Sequence, residues 1–355
     1  MSEIKVALLD RRFGTHGGYD RTHFTVRRGI KLYSDQCGMG NTFSFIDAFG
    51  EVMTGPLEMG TDYSILKDYD LVYLRIRNAR CAEATKQLRH QCPKPVIVGY
   101  SDELANDSLN SITATHWIHT ASLNTDVTCS SFPEKYDRPK HERAGVINWR
   151  CFPFAGDIHY WKKFYREKKE SIVAGMFHMR SFLRGGVGDR IHSQTLQLMK
   201  RLQDKHGVQC RFFLNFDGHK QLDLIEPYVK KLGLDVELVK HVSNVDFQNM
   251  LAECSVFVEE YQCPNNSRAT MVSAAVGTPQ VGTDMNTASN ICFPDTTIIH
   301  GEWNDFYVKA EKLLINPTFH RMVQEKALNN SNYYYYDSFR ERMMKLYNEL
   351  KGRRK

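Results

Sequence analysis

Several classes of protein are excluded by what this sequence lacks. No apolar run approaches the ~20 residues that a helix needs to span a membrane, so no membrane span is expected. The nine cysteines are odd in number and contain no Cys-x-x-Cys pair. That argues against a disulfide framework or a zinc site, and for a reducing compartment. The opening MSEIKVALLD turns at once into an apolar strand, without the basic lead or cleavage site of a secretory signal. A cytoplasmic location is the expectation. No internal repeat is present. Charge of one sign is also scarce, since 47 Lys and Arg against 41 Asp and Glu leave a net +6. Such a balance permits a polyanionic partner without demanding one. Much of the excess sits in the tail KGRRK, which reads as a solvated terminus.

What is present is an α/β pattern. A chain of 355 residues exceeds what a single core usually supports, so two domains are expected. Apolar runs of buried-strand length occur at Ile4–Leu9, Leu71–Ile76, Pro95–Val98 and Thr125–Cys129. Helical stretches are expected at Arg21 to about Tyr33 and at Ala82–His90. Alternation of this kind requires crossover connections and a parallel sheet. Between Phe132 and Lys169 the charged segments EKYDRPKHER and KKFYREKKE, interrupted by prolines, read as a linker. A second series opens near Ser171, with strands at SIVAGMF, Gln209–Asn215 and Val236–Val239 and helices at Ile191–His206 and Leu222–Leu232. Asp68-Tyr69-Asp70 directly precedes a strand and reads as its start, not as a metal motif. The run Tyr333–Tyr336 reads as a packed helix face.

The stretch from Val239 to Val281 is the most informative. It reads strand, helix, strand, Asn-rich loop, helix, Gly-Thr-Pro, strand. The loop Pro264-Asn265-Asn266-Ser267 delivers the chain to a helix N-terminus, where unpaired N–H groups and the macrodipole favour an anion. Ala269, Ser273, Ala274 and Ala275 let that helix lie close to a sheet, and Gly277 ends it. A phosphate site at the carboxyl edge of a parallel sheet is the expectation.

Four segments carry a family likeness: KVALLDRRFGTHGGYDRTHFTVRRGI, INWRCFPFAGDIHYW, SIVAGMFHMRSFLRGG and YYYYDSFRERMMKLYNELKG. Together they resemble the retaining GT-B glycosyltransferases of the family-4 type. The resemblance implies an α/β fold of two doubly wound, Rossmann-like domains facing across a cleft. Residues 1–150 would bind the acceptor and 151–330 the nucleotide sugar, while 331–355 would form a helix crossing back to the N-terminal domain. Implied too is transfer of a sugar to a hydroxyl acceptor with retention, needing no metal and no cofactor beyond the nucleotide-sugar donor.

Charge grows on the departing diphosphate in such a reaction, so fixed donors must meet it. By resemblance, Gly17 and Gly18 let the backbone approach the donor, and Arg180 and Arg184 grip the diphosphate bidentately. Asn266, Ser267 and Arg268 add the helix-terminus contribution, and His241 and Glu260 complete the donor set. The family's paired glutamates are absent, their positions falling on Pro264 and Val272. Its N-terminal catalytic histidine is missing as well. GYSDEL stands there, offering Tyr100, Ser101 and Asp102, of which Asp102 is the catalytic candidate.

Arg75, Arg77 and Arg80 crowd the end of the strand LVYLRIR, with Arg21 and Tyr19 on the neighbouring loop. They form the expected acceptor site and suit an anionic acceptor such as DNA, whose phosphates are gripped by Lys and Arg. The segment from Asp68 to Glu103 also resembles phage α-glucosyltransferases acting on hydroxymethylated bases, which implies a flipped-out base. Two alternatives stay open: a glycan or lipid-linked acceptor, and a non-catalytic relic of the fold that binds nucleic acid or protein.

Overall fold

A computed structural model describes residues 4–11, 24–28, 40–101, 112–167, 171–176, 194–214, 218–240, 242–261 and 264–353. The chain divides into two compact units, residues 1–156 with 334–355, and residues 157–333.

The first unit is built on strands β1 (Val6–Asp10), β2 (Thr25–Arg28), β3 (Glu51–Gly55), β4 (Leu71–Arg75), β5 (Val96–Tyr100), β6 (Val127–Ser130) and β7 (Trp149–Cys151). They form one sheet in the order β2-β3-β1-β4-β5-β6-β7, parallel except for β2. The strands β1, β4 and β5 are buried along their whole length, as in a parallel sheet covered on both faces. Val6, Leu8, Leu71, Tyr73, Val98 and Tyr100 pack against helices α1 (Gly40–Phe49) and α13 (Tyr336–Arg353). The alternate residues Ala7, Leu9, Val72, Leu74 and Ile97 pack in one cluster with α2 (Ala79–Gln91) and with Ala121 of α3 (Ile112–Leu123). Phe45 of α1 is fully buried, stacked on Tyr73 at 4.4 Å and edge-on to Phe339 of α13 at 6.1 Å. A buried Phe contributes about 1.5–3 kcal/mol, so this aromatic cluster fastens α13 to the sheet. Asp70 anchors the start of β4 by accepting from the Lys5 N–H and the Tyr347 hydroxyl, in keeping with its reading as a strand start. Tyr334 and Tyr336 are buried, across a 3-10 turn (Ser331–Tyr334) and the first residue of α13.

Two segments differ from expectation. Within the span expected as a helix from Arg21 to Tyr33, residues 25–28 form the edge strand β2, antiparallel to β3. Cross-strand pairs decide it. Arg27 donates to Thr54 Oγ1 at 3.0 Å and Arg28 to Glu51 at 3.2 Å, and such pairs are the unit of sheet stabilisation. The stretch expected as a linker carries the helix α4 (Glu134–Arg143) and then β7, which pairs with β6. Its charges are the outer face of a helix whose Asp137 and His141 are fully buried. Acids in the first turn and bases in the last complement the helix dipole, and Pro139 is accommodated inside the helix.

The second unit begins with the short helix α5 (Ile158–Lys162) and continues β8 (Ile172–Met176), α6 (Gln194–His206), β9 (Gln209–Phe213), α7 (Gly218–Leu232), β10 (Glu237–Val239), α8 (Asn244–Glu253) and β11 (Val256–Glu259). Then come α9 (Arg268–Ala275), β12 (Gln280–Thr283), α10 (Thr287–Cys292), β13 (Thr297–Ile298), α11 (Trp303–Ile315) and α12 (Pro317–Asn330). The six strands are all parallel, in the order β10-β9-β8-β11-β12-β13. Small buried residues of α9 (Ala269, Ser273, Ala274, Ala275) allow the close helix–sheet approach expected from the sequence. Gly277 follows at φ 75°, a left-handed turn that glycine takes without strain.

Candidate functional site

In an open α/β sheet, ligands bind beyond the carboxyl ends of the strands, where the strand order reverses direction. The second unit's sheet reverses between β8 and β11. Glu259 ends β11 and Glu260 follows it, both buried.

Glu259 is the hub of a buried polar network. Its Oε1 accepts from the Tyr261 hydroxyl at 2.6 Å and from Ser267 Oγ at 2.9 Å. Its Oε2 accepts from Thr270 Oγ1 and from Gln280 Nε2 at 3.2 Å. Proton directions follow from the donor inventory. Asn286 Nδ2 and Gln280 Nε2 are donors only, and both donate to Thr270 Oγ1, at 2.7 and 3.1 Å. The single Thr270 hydroxyl proton therefore points to Glu259. Ser267 Oγ accepts from the Thr270 N–H at 3.3 Å as the N-cap of α9, so its own proton also goes to Glu259. Tyr261, Ser267, Thr270 and Gln280 thus each direct a proton at the carboxylate.

The same network narrows the expected anion site. The Asn266 N–H donates to Asn265 Oδ1 at 2.7 Å and the Ser267 N–H to Asn286 Oδ1 at 3.0 Å. Two of the three N–H groups expected to face an anion are thus used inside the protein. Arg268 is the first residue of α9 and is half-buried. Glu260 Oε2 accepts from the N–H of Thr195, in the first turn of α6, a favourable place for an acid.

The first unit's sheet reverses between β1 and β4. Asp10, Arg75 and Tyr100 lie in register at the ends of β1, β4 and β5, so their side chains emerge on one face. All three are buried, with the Arg75 guanidinium 4.6 Å above the Tyr100 ring. Arg77 pairs with fully buried Asp10 through two contacts of 3.2 and 3.3 Å. Ser101 is buried beside Tyr100, its N–H donating to Cys129 O. Arg80 is exposed in the first turn of α2. The three arginines expected to face an acceptor thus divide, two held against interior partners and one facing solvent.

Gly17, Gly18, Tyr19, Arg21, Asp102, Arg180, Arg184 and His241 lie outside the described residues. Sequence reasoning missed Asp10, Thr270, Gln280 and Asn286. A signal existed for two of them, since Asp10 is an acid that ends an apolar strand in VALLD and Gln280 opens the strand QVGT. A polar residue inside a buried run demands a partner. Among the described residues no cluster of acids, histidines or cysteines could hold a metal ion. The seven described cysteines are unbridged. No described helix is long and apolar enough to cross a membrane.

Neither a protein-family model nor a curated protein sequence matches the chain. Solved structures do. HepE of Anabaena, in complex with UDP, aligns over 98% of this chain and 100% of its own at a TM-score of 0.66 and 12% identity. Sucrose-phosphate synthase from Thermosynechococcus elongatus aligns over 85% of this chain and 84% of its own, at a TM-score of 0.58 and 14% identity. The α,α-trehalose 6-phosphate synthase of Burkholderia multivorans aligns over 82% and 76%, at 0.59 and 11%. These likenesses, with the two Rossmann-like sheets, establish the GT-B fold.

Proposed function

We propose that this protein is a glycosyltransferase that moves a sugar from a nucleotide-sugar donor to a hydroxyl acceptor with retention of configuration. The observation that carries the reading is the α9 N-terminus, braced by the buried Glu259 network at the strand reversal of a GT-B sheet. Full-length likeness to a structure holding UDP supports a uridine diphosphate sugar as the first donor to try. In this reading the sugar–phosphate bond breaks as the acceptor oxygen bonds to the anomeric carbon, and charge collects on the leaving diphosphate. The dipole of α9 meets that charge. Arg180, Arg184 and Arg268 add cations, Gly17 and Gly18 let the backbone close on the donor, and Asp102 is assigned the proton that the acceptor hydroxyl gives up. His241 and Glu260 belong to the donor side. The nucleotide sugar is substrate, with no resident cofactor.

The finer acceptor reading is a hydroxymethylated base in duplex DNA, drawing on Arg80, Arg21, Tyr19 and the likeness of the segment around β4 to phage enzymes. Interior partners for Arg75 and Arg77 leave fewer cations for phosphates, which favours testing glycans alongside. A cytoplasmic setting accords with the unbridged cysteines.

Nucleotide release from UDP-, GDP- and ADP-sugars, with and without hydroxymethylated duplex DNA or a glycan panel, tests the reading. Release stimulated by one acceptor class is the expected result and names it. Silence across the panel, with no thermal stabilisation by any nucleotide, overturns it in favour of a non-catalytic binding protein.

A further inference from the structure

We infer that the outer face of α6, in the second unit, docks the phosphodiester backbone of a nucleic acid, a role that rests on the nucleic-acid acceptor of the reading above. A groove of about 480 Å³ lies between α6 and the end of α7, lined by Gln197, Lys200, Arg201, Asp204, Lys205 and Leu232. Three of those side chains are cationic and one is acidic. The two helices are tied together on either side of these residues in sequence. Gln197 donates to the Tyr228 hydroxyl at 3.1 Å, and Gln203 bonds both backbone groups of Asp235, just past α7.

Arg201 carries the inference. Its guanidinium carbon lies 3.5 Å from the centre of the Tyr307 ring, on α11. Such stacking fixes the guanidinium plane and leaves its N–H edge to meet an oxyanion. Arg201 is exposed, and no hydrogen bond or ion pair joins it to another described residue. A cation with a fixed plane and open donors suits bidentate pairing with a phosphate. Bases in the last turn of a helix answer its dipole, which accounts for Lys205 without any ligand. Arg201 stands more than a turn before the end of α6, where the dipole no longer explains it.

The neighbouring lysines have partners that a phosphate can replace. Lys200 pairs with Asp204, and Lys205 reaches Glu311 at 2.6 Å. Asp204 is 60% exposed and Lys205 58%, and pairs so exposed contribute little. Glu311 keeps the His206 ring at 2.6 Å and the Tyr307 hydroxyl at 3.0 Å when Lys205 turns away. Gln197, Arg201 and Lys205 recur every four residues, which sets them in one row at steps of about 6 Å along the helix. That step is close to the separation of successive phosphates on one strand, so the row can follow a strand. Lys230 and Lys231, exposed in the last turn of α7 beside Leu232, extend the cationic surface. Contacts of this kind hold and orient a nucleic acid without reading its bases.

Equilibrium binding of the full chain to unmodified duplex DNA, single-stranded DNA and duplex RNA, over roughly 50 to 300 mM salt, tests the groove. Log affinity falls with log salt at a slope of about −0.9 for each phosphate neutralised on a duplex. Arg201→Gln and Lys205→Gln should each make the slope shallower by about that amount and weaken binding roughly five- to tenfold near 0.1 M salt. Arg201→Lys should keep the slope. Arg321→Gln, an equal loss of charge at an exposed site on α12, should leave it unchanged. The nucleic acid that shows this dependence is the ligand. A slope change as large in Arg321→Gln overturns the groove, because bulk charge then explains the effect. Loss of slope in Arg201→Lys equal to that in Arg201→Gln overturns it too. Should Arg201→Gln not fold, Lys205→Gln decides the matter alone. Wild-type binding with unchanged slopes in the variants defeats the groove only. If wild type binds none of the three, the groove and the nucleic-acid acceptor fall together, while nucleotide release judges the donor side separately.

Discussion

Removing the Arg77 guanidinium isolates the energetics of the first unit's polar edge. Asp10 has no exposed side-chain area, while Arg77 retains 23%. The pair makes two contacts of 3.2 and 3.3 Å. Exposed ion pairs contribute ~0–1 kcal/mol, but deleting one partner of a buried pair leaves an uncompensated charge and costs about 3–5 kcal/mol. Partial exposure of Arg77 lets water replace some of what is lost, so Arg77→Ala should sit at the low end, about 3 kcal/mol. In a unit of this size that lowers Tm by roughly 6–12 °C, read by scanning calorimetry on the full chain. The pair Arg28–Glu51, with side chains 82% and 61% exposed, is the internal control, and Arg28→Ala should move Tm by no more than ~2–4 °C. Adding Asp10→Asn to Arg77→Ala should recover part of the loss, because a neutral amide no longer demands a cation. A Tm for Arg77→Ala equal to that of Arg28→Ala would refute the reasoning.

Two further perturbations probe other parts of the fold. Burial holds the His141 imidazole below its ordinary pKa, against the opposing pull of Asp137. The unfolded chain therefore takes up the proton first, so this contribution is complete above the unfolded value of about 6.5 and is lost as pH falls through the window below it. Calorimetric Tm between pH 5 and 7.5 should fall less steeply in His141→Gln than in wild type, and parallel profiles would contradict this account. Gly277→Ala should destabilise the second unit by about 1–3 kcal/mol. The residue has φ 75°, and a Cβ there would meet the Tyr165 ring at 2.5 Å. Denaturant unfolding with no loss of stability would show that the turn relaxes freely.

Much of the architecture was legible along the chain. Continuous apolar runs such as VALLD and LVYLR marked buried parallel strands because both faces of those strands are covered. Gly277 and the small residues before it marked the end and the sheet-facing side of α9 for equally local reasons. The edge strand β2 was not legible. Its residues are mostly exposed, so no hydrophobic period records them, and their conformation is decided by Thr54 and Glu51 on the neighbouring strand. Helix α4 hid for the opposite reason, since its two buried polar residues look like surface charges until Ser130 and the helix itself close around them.

The candidate site divides along the same line. The α/β alternation, the helix N-terminus after the Asn-rich loop and the arginines ending β4 are local matters of residue type and spacing, and the sequence by itself determined them. Only the tertiary structure decided what those groups do with their charge. Arg77 meets Asp10 from 67 residues away, and Gln280 meets Glu259 from 21 residues away. A buried charge is stable only beside the partner that folding brings to it, and no local pattern encodes which distant residue that will be.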